Sequence, residues 1–230
     1  LKPRPPGMVL LWPRVLWSAV SAASGRGPNP RARSTSFPGQ PTQRRAGMTS
    51  SACAPREAAE GDFAAIVQLF REHEILCTLG QEQGNDEWLL MGQSYVERVL
   101  QSELSSWEAC SERFSSARSK LWVVEDLGKV VGCIGAVEEG AESLELVRMY
   151  VDGTCRRRGF GRALVQALLD HALAVRASEV RLTTPQVNAA AIRFYQELGF
   201  LPQRSISVEE AGRPLELVEL TRAVDRAAPE

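Results

Sequence analysis

One run of seven residues, Arg156-Arg157-Arg158-Gly159-Phe160-Gly161-Arg162, constrains the fold of this chain more than any other. It lies between a strand-like run, Leu144 to Val151, and a helix-like run, Ala163 to Val175. A glycine-rich turn at such a junction aims several backbone N–H groups at one point. The helix N-terminus adds partial positive charge there. The result is a cradle for a phosphate or pyrophosphate. Glycine suits it because a Cβ would obstruct either the close approach of the anion or a left-handed turn. The plainer reading of the same residues is a solvated basic loop before a helix.

The formal net charge of −1 hides two unlike parts. Residues 1–56 hold nine Lys/Arg and no carboxylate. The remainder has 18 basic against 28 acidic residues, a net charge of −10. An acidic body argues against nucleic acid as its partner; a basic arm leaves that possibility to residues 1–47 alone. Eight prolines and no apolar periodicity keep residues 1–47 out of any core. The arm reads either as an organelle transit peptide, placing the protein in a mitochondrion or plastid, or as upstream sequence ahead of a start at Met48, leaving it cytoplasmic. The apolar stretch Met8 to Val20 is too short to span a membrane and is broken by Pro13 and Arg14. Five scattered cysteines form no CxxC pair, and His73 and His171 are the chain's only histidines, so no metal site is expected. Free thiols in a reducing compartment are expected instead, with Cys155 set among arginines.

A folded domain is expected over 48–226, with 227–230 as a tail. Ser51 to Glu57 holds a short strand. Asp62 caps a helix that buries Phe63, Ile66, Val67, Leu69 and Phe70. Residues 77–91 read as loop. Tyr95, Val96, Val99, Leu100, Leu104 and Trp107 mark a second helix. Leu121 to Val124 and Val130 to Val137 form a hairpin around Asp126 to Lys129. Leu144 to Val151 is the next strand. A helix over 161–176, a strand from Val180 to Thr184, and a helix from Asn188 to Leu198 ended by Gly199 follow. Leu215 to Thr221 closes the sheet, with a further strand near 203–208. Antiparallel strands followed by a βαβ crossover give a mixed α/β sheet with one parallel pair.

This order resembles the GNAT superfamily of N-acetyltransferases. Two motifs carry the resemblance. One is Glu145-Leu146-Val147-Arg148-Met149-Tyr150-Val151 followed by Arg156-x-x-Gly159-x-Gly161. The other is Asn188-x-x-Ala191-x-x-x-Tyr195-x-x-x-Gly199-Phe200. Tyr95 to Leu100, Leu121 to Glu125 and Val187 to Phe200 are similar to the camello-like members. Those carry a hydrophobic membrane segment where this chain has the polar residues 71–94, a departure that bears on their location and on their amino-acid and cysteine-conjugate acceptors.

The resemblance implies acetyl-CoA as cosubstrate, with no metal, and a primary amine as acceptor. The backbone of Arg157 to Arg162 would bind the pyrophosphate, helped by the arginine side chains from Arg156 onward. The fourth strand would splay from the fifth, and the backbone of Met149, Tyr150 and Val151 would pair with the pantetheine arm. Asn188 would touch that arm or the acetyl group, or serve only as an N-cap. Tyr195, two helical turns on, would protonate the leaving thiolate, for which a phenol near pKa 10 is suited; the alternative is a core aromatic. Glu145 is the expected base, with Glu138, Glu142 and Asp152 as competitors. Trp88, Trp107 and Trp122 would wall the acceptor pocket or fill the core. Amine and acetyl-CoA would meet in one ternary complex, so Cys155 is not expected to act as nucleophile. A binding module that retained the cradle and lost turnover is the alternative of another class.

Overall fold

Seven strands among the described residues form one sheet, each face of which is closed by helices. The computed structural model describes residues 54–81, 86–210 and 212–224, the side chains of 74–81 and 86–90 excepted. The strands are β1 (Arg56–Glu57), β2 (Lys120–Asp126), β3 (Lys129–Glu139), β4 (Ser143–Val151), β5 (Glu179–Pro185), β6 (Leu201–Glu210) and β7 (Arg213–Ala223). Their spatial order is β1-β2-β3-β4-β5-β7-β6. Only β4 and β5 run parallel, as the crossover helix α4 (Phe160–Ala174) between them requires.

Two cores result. On one face, α4 and α5 (Ala189–Glu197) press Leu164, Leu168, Ala191 and Tyr195 onto Leu144, Leu146, Met149, Leu182 and Leu217. On the other, α1 (Phe63–Gln81), α2 (Asp86–Gln101) and α3 (Trp107–Glu112) press Ile66, Phe70, Tyr95, Val99 and Cys110 onto Val123, Cys133, Val147 and Tyr150. Each fully buried aliphatic or aromatic side chain contributes about 1.5–3 kcal/mol.

The second strand of the β6–β7 hairpin and the β2–β3 hairpin match the sequence expectation. Leu127 (φ 52°) and Gly128 (φ 78°) both take left-handed conformations, which matches the twist of a two-residue hairpin turn. Three expectations need correction. Residues 77–91 are not a loop: α1 extends to Gln81 and α2 begins at Asp86, with residues 82–85 outside those described. The two glycines there pointed to a loop, yet the Leu, Glu and Gln around them are strong helix formers. The second helix stops at Gln101, not Trp107. Leu104 N–H bonds back to the Val99 carbonyl at 2.9 Å, and Ser106 caps the separate helix α3 by accepting from Ala109 N–H. Asp62 does not cap α1 in the ordinary sense. Its carboxylate reaches back to Ala59 N–H at 2.8 Å and accepts from both terminal nitrogens of Arg56. This tether, which holds its pKa below the usual carboxylate range chiefly through Arg56, ties the start of α1 to β1. Of the expected first strand, residues 51–53 lie outside those described. No helix among the described residues is long and apolar enough to cross a membrane.

Candidate active site

The site is built around a fault in the sheet. The parallel ladder between β4 and β5 has three pairs only: Ser143 with Glu179, Leu144 with Val180, Glu145 with Arg181. Both strands continue, β4 to Val151 and β5 to Pro185, with no pairing between those continuations. On its other edge β4 pairs Val147 with Gly135 and then Tyr150 with Cys133, so Arg148 and Met149 stand opposite the single residue Ile134. That is a β-bulge, and Arg148 takes the left-handed conformation (φ 55°) within it. A bulge bends its strand and raises the local twist, which is why β4 leaves β5 at this level. The alternation of side chains changes with it. Leu144, Leu146, Met149 and Val151 join the α4–α5 core, while Val147 and Tyr150 join the other.

Beyond the bulge the chain makes the expected turn. Asp152 caps the short turn Gly153–Cys155 by accepting from Thr154 N–H at 2.8 Å. Arg157 (φ 61°) and Gly159 (φ 93°) are both left-handed. No side chain caps the N-terminus of α4, and Arg157, Gly159 and Arg162 are exposed there. The first-turn N–H groups are thus available to an anion.

The two glycines serve different ends. Gly159 has open space around its Cβ position, so its φ is what requires glycine. Gly161 has ordinary φ, but a Cβ there would stand 3.2 Å from Met149 Cε and 3.4 Å from Phe194 Cζ. It lets α4 approach β4 and α5 closely. Nor do all the arginines face the cradle. Arg158 bonds Asp126 through both terminal nitrogens, at 2.7 and 3.0 Å, and lies over the Phe160 ring. Arg156 Nε donates to the Val151 carbonyl at 3.4 Å.

Across the fault, the free end of β5 and the start of α5 present buried polar atoms. Asn188 is the N-cap of α5, its Oδ1 accepting from Ala191 N–H at 3.2 Å. Its Nδ2 is buried without a hydrogen-bond partner, as is the hydroxyl of fully buried Thr184. A buried donor left so is costly, and an acceptor laid between β4 and β5 would satisfy it. Tyr195 is fully buried one helical face along, its ring edge-on to Phe194 and Phe200.

Glu145 is 5% exposed and turned toward α3, its Oε2 4.0 Å from Arg113 Nη2. The competing carboxylates sit differently. Glu138 is held by Ser116 and by Arg118 at 3.1 Å, and Asp152 by Thr154; these bonds lower both pKa values. Glu142 is exposed in the β3–β4 turn.

A charge cluster that the sequence reading missed surrounds Glu145. Glu103, in the α2–α3 connection, accepts through one oxygen from Arg113 and, at 2.5 Å, from Arg148 Nη2. Arg148 is 3% exposed and lies over the Phe70 ring at 5.5 Å. Burial opposes its charge, but Tyr150, Tyr95 and Glu103 outweigh that and raise its pKa. Glu103 is held anionic against its own burial by the same two arginines. The His73 ring lies 5.0 Å from that of Tyr150, tilted by 49°, and burial, helped by Arg156, pushes its pKa down to about 3. Arg148 lies inside the Glu145 to Val151 motif, but Glu103 is 45 residues away in sequence and leaves no periodic signal.

The aromatic and sulfur expectations divide. Trp122 packs edge-on to His171 in the α4–α5 core, on the face away from Glu145, and Trp107 packs on Phe63. Trp122 is thus a core residue, half-buried Trp107 packs against the other core, and the side chain of Trp88 lies outside those described. Cys110, Cys133 and Cys155 are free thiols; Cys53 and the Cys77 side chain lie outside the described residues. Burial pushes the Cys133 thiol up to about 12. Among the described residues, no group of three or more His, Cys, Asp or Glu is arranged to hold a metal ion.

Comparison with known proteins places this arrangement. The model of a family described as "Acetyltransferase (GNAT) family" matches residues 86–200, half of the chain. N-acetyltransferase 8 of Homo sapiens is 32% identical over 119 residues, covering 49% of this chain and 52% of that protein. N-acetylaspartate synthetase of Homo sapiens is 33% identical over 108 residues, 46% of this chain and 35% of that protein. The chain thus spans about half the length, or less, of these relatives. Among solved structures, spermidine N-acetyltransferase from Vibrio cholerae in complex with CoA and spermine superposes with a TM-score of 0.54 at 18% identity, covering 76% of this chain and 97% of that one.

Proposed function

We propose that this chain, which belongs to the GNAT acetyltransferase family, transfers an acetyl group from acetyl-CoA to a primary amine by direct attack in a ternary complex. The observation that carries the proposal is the fault between β4 and β5, with an uncapped helix N-terminus at one end and buried Asn188 and Tyr195 along one side.

Acetyl-CoA supplies an acetyl group activated as a thioester. The N–H groups from Arg157 to Arg162 bind its pyrophosphate, and exposed Arg157 and Arg162 add charge at the mouth. The backbone of Met149, Tyr150 and Val151 pairs with the pantetheine arm as a strand would. Asn188 donates to an amide carbonyl of that arm through Nδ2. Glu145 takes a proton from the acceptor ammonium, directly or through water, so that the neutral amine attacks. Tyr195 gives its proton to the departing thiolate. Cys155 lies on the phosphate side, 3.7 Å from Arg158 Nη1, and forms no acyl-enzyme.

The charges beside Glu145 balance, two carboxylates against two guanidinium groups. The acidic body therefore does not translate into a locally anionic acceptor site. The relatives' names span aspartate and spermine, and both belong in the acceptor panel.

A second reading, a CoA-binding module without turnover, is favoured by the complete burial of Tyr195 between Phe194 and Phe200. Release of free CoA thiol from acetyl-CoA separates the two. The panel should hold aspartate and other amino acids, S-substituted cysteines, polyamines, and lysine and N-terminal peptides. Thiol release that depends on one class of amine supports transfer. Binding of acetyl-CoA with no amine-dependent release supports the module.

A further inference from the structure

Arg148 bears two costs at one residue. It holds a left-handed backbone without being glycine, and it buries a guanidinium at 3% exposure. Strain of this kind persists only where the surroundings over-determine it. Here they do so through the side chain. Nη2 is 2.5 Å from Glu103 Oε2, and the guanidinium lies over Phe70 of α1. Glu103 is itself fixed by Arg113 at the end of α3. In a regular β4, residue 148 would share the face of Leu144 and Leu146; its guanidinium would enter the apolar α4–α5 core, with no acid to meet it. The bulge turns it instead toward the α1–α3 side. It is also at this bulge, three residues past the last β4–β5 pair, that the strands have parted.

We propose that Arg148, anchored on Glu103, is a positioning residue that holds β4 in its bulged form and so keeps the β4–β5 slot open for the cosubstrate arm. The proposal rests on the reading of that slot as the acetyl-CoA site. Without the anchor, β4 gains by returning to regular pairing: the left-handed residue relaxes and the ladder to β5 lengthens beyond Glu145. The slot narrows, and the backbone of Met149 to Val151 is lost to the ligand.

The test is acetyl-CoA affinity, measured by titration calorimetry well below the melting temperature, for the parent and three variants. Glu103→Gln keeps the shape of the anchor and removes its charge. Arg148→Ala removes the guanidinium while keeping the steric cost of a left-handed side chain, so only the anchor is lost. Arg148→Lys keeps a cation opposite Glu103. The expected result is a Kd raised at least about tenfold in Glu103→Gln and Arg148→Ala, with part of the loss recovered in Arg148→Lys. Amide exchange at Leu146 to Met149 should become slower in the two weakened, ligand-free variants as the ladder extends. If Arg148→Ala fails to fold, the isosteric Glu103→Gln carries the test alone. Affinity within twofold of the parent, even with a lowered melting temperature, would overturn the proposal and leave Arg148 a structural residue. A parent that binds no acetyl-CoA would instead overturn the function from which the slot takes its meaning.

Discussion

Tyr195 and Glu145 carry the proposed proton transfers, and they stand on opposite faces of the sheet. Tyr195 belongs to the α4–α5 core, while Glu145 faces Arg113 on the α1–α3 side. In the proposed reaction an amine from one side and the thioester from the other meet where β4 and β5 part. Tyr195→Phe deletes one hydroxyl and no packing. It should leave acetyl-CoA affinity unchanged and reduce kcat by about 10²–10⁴, measured by thiol release; an unaltered kcat returns Tyr195 to the core. Glu145→Gln should reduce kcat/KM by a similar factor, about 10²–10⁴. The loss should be greater at pH 6 than at pH 9, because an amine is more fully protonated, and more in need of a base, at the lower pH. A silent Glu145→Gln beside an inactive Glu138 or Asp152 variant would move the base elsewhere. At this scale the sequence was legible where a residue acts within its own element, as for Asn188 at the cap of α5. It was not legible for Glu103, Arg113 and Arg148. They meet only in the folded molecule, and a left-handed arginine has none of the advance notice that a glycine gives.

The elements that read clearly are those with a strong local period and explicit ends. The helix α4 buries Leu164, Leu168 and Ala172 on one face, and Gly199 stops α5 in a left-handed conformation (φ 84°). Those that misread lie between α1 and α3. There serines compete for backbone hydrogen bonds, and glycines sit beside strong helix formers. The glycine turn shows the same limit in miniature. Its position followed from sequence, yet the need for Gly161 came from Met149 and Phe194, which belong to other elements. The two glycines should therefore respond differently. Gly159→Ala imposes a side chain on φ 93° with no clash and should cost about 1–2 kcal/mol. That corresponds to roughly 2–4 °C per kcal/mol in a domain of this size. Gly161→Ala asks only the flexible end of Met149 to give by a few tenths of an ångström, and should cost less than about 1 kcal/mol. Thermal melts of the two variants check the order; a larger loss in Gly161→Ala would show a rigid contact at Met149.

For the whole molecule, the fold class and the parallel strand pair were legible because a crossover helix leaves few alternatives. The fault between that pair was expected through the family resemblance alone, because it accompanies a bulge set by long-range contacts that no local pattern announces. We propose, from the division into a basic segment and an acidic body, that residues 1–47 add nothing to the stability or activity of the rest. A chain of residues 48–230 should accordingly keep the melting temperature, acetyl-CoA affinity and turnover of the full chain. A melting temperature lowered by several degrees would place the boundary elsewhere. The central claim is that the slot and the α4 N-terminus together bind acetyl-CoA, and ligand-dependent melting of the full chain tests it most directly. At a ligand concentration 100-fold above Kd, linkage gives about 2.7 kcal/mol of stabilisation, a rise of roughly 5–10 °C. Acetyl-CoA and CoA should both produce it, and a thioester without the nucleotide should not. A melting temperature unmoved by either CoA species would contradict the account.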